Sequence, residues 1–183
     1  MAMTKYRRHS MVFGMSLATY TLIHVVISLL GIVSGLIVVL GLINGKRLGG
    51  MTGVFLVATV LTSVTGFGFP FDHLLPSHKV GMISLVVLTI ALLARYAFHL
   101  AGKWRSIYVI TAVMALYLNV FVLVVQSFLK VPVLKALAPK QTEPPFLIAQ
   151  VMVLALFVVL GILAAKKFCV EPTKSAACGV TDV

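Results

Sequence analysis

The sequence predicts an all-α integral membrane protein: a bundle of about five transmembrane helices with a longer loop over one membrane face. Three observations predict it. Of 183 residues, 61% are hydrophobic and the mean hydropathy is +1.12, well above the roughly half-apolar make-up of soluble domains. Five runs, free of charge but for Arg95 within the third, come close to or exceed the roughly 20 residues that carry a helix across about 30 Å of hydrocarbon. The Lys and Arg residues stand at the ends of these runs. No segment shows the alternation of a membrane barrel strand, which excludes that architecture.

The first run extends from Met11 to Ile43 and is closed by Asn44, Gly45, Lys46 and Arg47. Its apolar part is too long for a signal-peptide core and no small-residue cleavage site follows, so it is expected to stay in the protein. A span over 17–43 results, with Met11 to Tyr20 as an extra turn or an interfacial segment. The second run starts at Gly50 and gives a span over 51–69. The third begins after Lys79 and covers 80–100. The fourth lies between Arg105 and Lys130, at 106–129, and the fifth follows Pro144 and Pro145, at 145–165. Residues 1–168 then form the bundle and 169–183 a polar tail. Cys169 and Cys178, the only cysteines, lie in that tail at no metal or redox spacing. The stretch from Lys130 to Pro145 holds four prolines and no helical periodicity, and is expected to fold over the mouth of the bundle.

A net charge of +11 and a pI near 10.1 suggest nucleic acid in a soluble protein. Here the cations sit at span ends, where they meet lipid headgroups, so the expected partner is the lipid bilayer and not a nucleic acid. An odd number of spans puts the termini on opposite sides. With the N-terminal face as side A, Lys5, Arg7, Arg8, Lys79, Lys130, Lys135 and Lys140 fall there. Lys46, Arg47, Arg95, Lys103, Arg105, Lys166, Lys167 and Lys174 fall on side B. Seven against eight sets no orientation by the positive-inside rule.

The acids are shared less evenly. Outside the tail, which holds Glu171 and Asp182, only Asp72 and Glu143 remain, both on side A. At 1.5 Å per residue, His24 lies near the side A boundary of the first span, and Gln126 reaches the same depth in the fourth. Gln150 is about one and a half turns into the fifth, and His78 marks the start of the third. Asp72, His73 and Glu143 belong to loops just above. His99, 21 residues past His78, belongs to side B.

In the first span Tyr20, His24, Ser28, Gly31 and Gly35 recur at steps of four, four, three and four, which is one helix face. Gly31 and Gly35 form a GxxxG pair suited to close helix approach. Thr59, Ser63 and Gly66 share a face of the second span, and Tyr108, Thr111, Ala115, Asn119 and Gln126 a face of the fourth. These seams read first as helix packing, Asn119 included.

The side A cluster suits three mechanisms. The first is a redox cofactor, haem b or a transition metal ion: His24 and His78 come from different helices at similar depth, as bis-His ligation requires. Tyr20, Gln126 and Gln150 would line that site, and a metal would draw on His24, His73, His78, Asp72 and Glu143. The chain is large enough for a small b-type cytochrome but has neither a second deep His pair nor C-x-x-C-H. The second is a pocket for a quinone or other small molecule, with His and Gln as polar groups and Tyr20, Phe67, Phe69 and Phe71 as wall, or the same groups as a proton path. The third is a structural or assembly subunit, as a homo-oligomer or in a larger membrane complex. No nucleophile elbow, P-loop or H-E-x-x-H is present, and five spans do not divide into inverted repeats. The expected location is a cell (inner) membrane, as a multi-pass protein.

Overall fold

The computed structural model describes residues 11–12, 14–69 and 76–170. Five helices in it are long and apolar enough to cross a membrane. In chain order they are α1 (Leu17–Ile43), α2 (Gly49–Gly66), α3 (Pro76–Leu92), α4 (Trp104–Lys130) and, after the short α5 (Pro132–Leu137), α6 (Pro144–Val170). The protein is therefore an all-α multi-pass membrane bundle.

Helix α1 starts at Leu17 for a local reason. Ser16 accepts from the Thr19 backbone N–H at 3.2 Å, which satisfies one of the donors a helix start leaves over. Met11–Val12 and Met15–Ser16 before it pair as a two-residue antiparallel ladder, turned at Gly14 with φ +79°. Of the expected extra turn or interfacial segment Met11 to Tyr20, Leu17 to Tyr20 is helical and the residues before it pair as a small hairpin. Helix α3 ends in a π-turn, Leu93–Ala97, followed by left-handed φ at His99 (51°), Leu100 (59°) and Gly102 (50°) that reverse the chain into α4.

Helices α1 and α2 pack along their glycine and small-residue faces. At Gly35 a β-carbon would lie 2.6 Å from Leu116 Cδ1 and 2.8 Å from the Phe55 ring. At Gly31 it would meet Asn119 Nδ2 at 3.2 Å and Thr59 Oγ1 at 3.3 Å. The two glycines thus let α2 and α4 reach the α1 backbone, where van der Waals contact replaces the hydrophobic drive that lipid does not supply. Phe55, Leu56, Leu88, Ala91, Tyr108, Val109, Ala112 and Leu116 fill the core below them. The outward faces, Leu22, Val26, Leu30 and Val33 of α1 and Val151, Met152, Val158 and Ile162 of α6, are exposed and apolar, as lipid contact requires.

The proline-rich stretch after α4 does not cover the bundle mouth. Phe128 of α4 and Phe146 of α6 meet edge to face at 5.4 Å, and Ala138 and Leu134 pack against them. Gln141 Nε2 donates to the Val125 carbonyl at 3.0 Å. These contacts draw the stretch onto the ends of α4 and α6. Glu143, just before the prolines that open α6, accepts from the backbone N–H groups of Lys140 (3.1 Å) and Thr142 (3.0 Å).

Two predictions follow from this packing. Gly35→Ala should lower thermal stability by about 1–3 kcal/mol, because backbone-rooted overpacking has no slack between Phe55 and Leu116. Gly53→Ala, where a β-carbon meets nothing within 4 Å, should be neutral or gain up to about 1 kcal/mol of helix propensity. Melting curves of the two variants in detergent check this; equal effects would contradict the proposed approach. The Glu143 carboxyl sits below the usual glutamate range. Desolvation raises it, but the N–H groups of Glu143, Lys140 and Thr142 and the Lys140 charge together outweigh that. Its contribution to loop order is thus complete above the unfolded value of about 4.3 and disappears as pH falls through the lowered folded value. Limited proteolysis of residues 131–143, followed from about pH 6 to about pH 3, should show a protection loss in the wild type that Glu143→Gln lacks.

Candidate functional site

Between the side A halves of α1, α2, α3 and α4 lies a cavity of about 420 Å³. Its floor is built from Ser28, Thr59 and Asn119, and its rim from Thr21, Phe69, Gln126 and Lys130. Ser28 to Thr21 is seven residues of helix, so floor and rim are separated by about 10 Å. The same small residues that allow tight packing below leave room here. Gly66 and Gly81 line the wall, and a β-carbon on Gly81 would press on the Phe67 ring at 3.3 Å.

His24 is fixed by Thr65 through Nδ1 at 2.8 Å. The Thr65 hydroxyl proton is already committed to the Leu61 carbonyl at 2.7 Å, so Thr65 can only accept from the ring. Neutral His24 therefore carries its proton on Nδ1, and Nε2 keeps a lone pair. Among the described residues Nε2 makes no hydrogen bond, and the ring lines the cavity, edge-on to Phe69 at 5.2 Å. His78, in the first turn of α3, is 4% exposed and faces the Phe67 ring at 5.8 Å.

Asn119 forms the floor. Its Oδ1 accepts from Ser28 Oγ at 3.0 Å, while Nδ2 has no partner among the described residues although the side chain is only 7% exposed. With the amide placed this way, a buried donor is left over, which costs about 1–3 kcal/mol unless a ligand or water accepts from it. The wall adds Ser63 and Ser84, whose hydroxyls meet at 3.2 Å.

Of the residues singled out from the sequence, the structure brings His24, His78 and Gln126 to this cavity, with Phe67 and Phe69. Tyr20 stands behind the wall and donates to the Thr65 carbonyl at 2.7 Å, so it helps to hold the end of α2. Gln150 lies elsewhere: it is on α6, donates to the Phe121 carbonyl at 3.4 Å, and belongs to the α4–α6 contact. Glu143 is spent on its own loop, and no residue of 131–143 lines the cavity. Asp72, His73 and Phe71 lie outside the described residues, and among those described no three His, Cys, Asp or Glu side chains gather as a metal site. Ser28, Thr59 and Asn119, which the sequence places in packing seams, prove to be cavity floor as well. Their signal was the coincidence in depth of three polar faces on three helices.

The chemistry available is a lone-pair nitrogen on His24, an amide donor on Asn119, and hydroxyls of Ser, Thr and a Gln amide on otherwise apolar walls. No protein-family model matches this chain, and neither the curated proteins nor the solved structures contain a match to it.

Proposed function

We propose that this membrane protein binds a lipid-soluble ligand with an oxygen-bearing head, of the quinone class, in the side A cavity, and exchanges a proton with it through His24. The observation that carries the reading is the presence in one cavity of a buried donor without a partner among the described residues, Asn119 Nδ2, and an open acceptor, His24 Nε2. A quinone carbonyl accepts from the amide. A hydroquinone hydroxyl donates to the imidazole. One pair of side chains thus serves both redox states of such a head. The cavity volume of about 420 Å³ falls within the usual range of roughly 300–1,000 Å³ for small-molecule sites, and its apolar walls with few polar groups follow their usual composition.

A second reading, haem b or a metal ion held by His24 and His78, draws support from the same histidine. An imidazole whose Nδ1–H is held by a protein oxygen presents Nε2 as a ligand nitrogen, the usual arrangement at metal centres. In that case His78 supplies the second nitrogen.

Titration of the detergent-purified protein with decyl-benzoquinone, read by calorimetry, tests the proposal. Saturable binding is expected, weakened at least about tenfold by Asn119→Leu and by His24→Ala, since each loses a hydrogen bond in a desolvated site. Absence of saturable binding, or affinity unchanged in both variants, contradicts it. An absorption spectrum of the same sample separates the second reading: a Soret band lost in His24→Ala and His78→Ala assigns the cavity to haem.

A further inference from the structure

The side A cavity is not sealed on every side. Its lining residues from α2, from the turn after α2 and from α3 are all buried or half-buried. The lining residues that are exposed, among those described, are Val25 of α1 (40%) and Leu129 (44%) and Lys130 of α4. A side chain that lines a cavity and is also exposed stands at its mouth. The seam between α1 and α2 is closed at this level: Tyr20 donates to the Thr65 carbonyl at 2.7 Å, His24 donates to the Thr65 hydroxyl at 2.8 Å, and Phe69 meets both rings at 5.0 and 5.2 Å. Between α2 and α3, Ser63 and Ser84 meet at 3.2 Å and Phe67 faces His78 at 5.8 Å. The mouth therefore lies between α1 and α4.

These two helices are joined at the cavity floor, where Ser28 donates to Asn119 at 3.0 Å. Toward side A no hydrogen bond links them among the described residues, and α1 buries none of its residues from Thr21 to Leu30. Helix α6 stays with α4 in this half, through Phe146 on Phe128 and Gln150 on the Phe121 carbonyl. Leu118, Val122 and Leu129 recur at steps of four and seven and give α4 an apolar edge along the mouth. Val25 is the facing edge on α1. From Val122 to Lys130 is eight residues, about 12 Å of helix. Lys130 ends α4, where a long cation carries its charge up to the headgroups. The mouth thus runs from the headgroup layer down into hydrocarbon, and an apolar gap at that depth gains dispersion contacts when an alkyl chain fills it.

We propose that the gap between α1 and α4 is the bilayer-side mouth of the cavity and the seat of an alkyl tail, held between Val25 on one side and Leu118, Val122 and Leu129 on the other. The site then takes an amphiphile from the membrane, head first, with the tail left in the gap. This inference rests on the reading of the cavity as the site of an oxygen-bearing head, and it adds the route and the part of the ligand that the polar groups do not touch. Polar side chains lie inside, at Ser28, Asn119 and His24, and apolar ones at the opening, which is the order of groups along such a ligand.

Photo-cross-linking of the full-length protein in nanodiscs of phosphatidylcholine with a diazirine on one acyl chain tests the mouth without any quinone. Cross-links are expected on Leu118 and Val122, and they should fall at least about fivefold when tryptophan fills the gap from either edge, in Val25→Trp or Leu129→Trp. Both positions are exposed, so the core stays intact, and labelling of Val158 on the outer face of α6 should not change. Calorimetry in detergent then tests the tail seat. Decyl-benzoquinone should bind either variant at least about fivefold more weakly than wild type, while duroquinone, which has no tail, binds all three equally. No cross-link on Leu118 or Val122, cross-links unchanged in both variants, or equal weakening of the two quinones overturns the proposal. If neither quinone binds wild type but the acyl chain still cross-links in the gap, the quinone reading of the cavity falls and the mouth stands.

Discussion

The missing β-carbons of Gly31 and Gly35 set the geometry on which the rest of this bundle depends. At Gly35 the space is taken by Leu116 and the Phe55 ring, and at Gly31 by the Asn119 amide and the Thr59 hydroxyl. One helix turn separates the two glycines, and across that turn the interface changes from apolar to polar. Toward side B of Gly35 the helices close on a largely apolar core. Toward side A of Gly31 the facing sides of α1, α2, α3 and α4 open into the cavity. His24 stands two turns above Gly31 on the same face and is tied to the end of α2 through Thr65.

This division fits the physics of a chain in lipid. Polar side chains cannot face hydrocarbon, so Ser28, Thr59, Ser63, Ser84 and Asn119 turn inward and meet one another. Two of their hydroxyls donate to carbonyls one turn back, Thr59 to Phe55 at 2.7 Å and Ser63 to Thr59 at 3.0 Å, whereas Ser28 donates to Asn119. Asn119 Nδ2 makes no such bond among the described residues. A residue of that kind on a cavity floor turns a packing seam into a recognition surface. Lys130 stands at the rim of this region, while the guanidiniums of Arg47, Arg95 and Arg105 lie on aromatic rings at side B, separated from the cavity by Phe55, Leu116 and Ala112, each 0% exposed.

The spans were legible in the sequence because length and charge placement decide them. Leu17–Ile43 and Trp104–Lys130 fall within a residue or two of the expected spans. The third and fifth helices differ more at their ends, where a π-turn and a proline pair set the boundaries. Rise per residue also brought His24, His78 and Gln126 to one depth. Depth does not give direction around the helix axis, and this is why Gln150 lies at the right level yet contacts α4 at Phe121 instead of lining the cavity. The proline-rich stretch misled for another reason: its apolar residues had a partner in Phe128 and Phe146 that composition does not reveal. Asn119 was visible as a mid-span amide, but that it lacks a partner on one side is a property of three helices together.

His24 is held with its proton on Nδ1 and its Nε2 lone pair toward an open cavity. Nitrogen-15 NMR of the imidazole in the detergent-solubilised protein, assigned by comparison with His24→Gln, tests it most directly. An Nδ1–H signal with an unprotonated Nε2 is expected in the neutral form, with an Nε2 signal that moves when decyl-benzoquinone is added. A ring protonated on Nε2, or an Nε2 signal unaffected by the quinone, would contradict it.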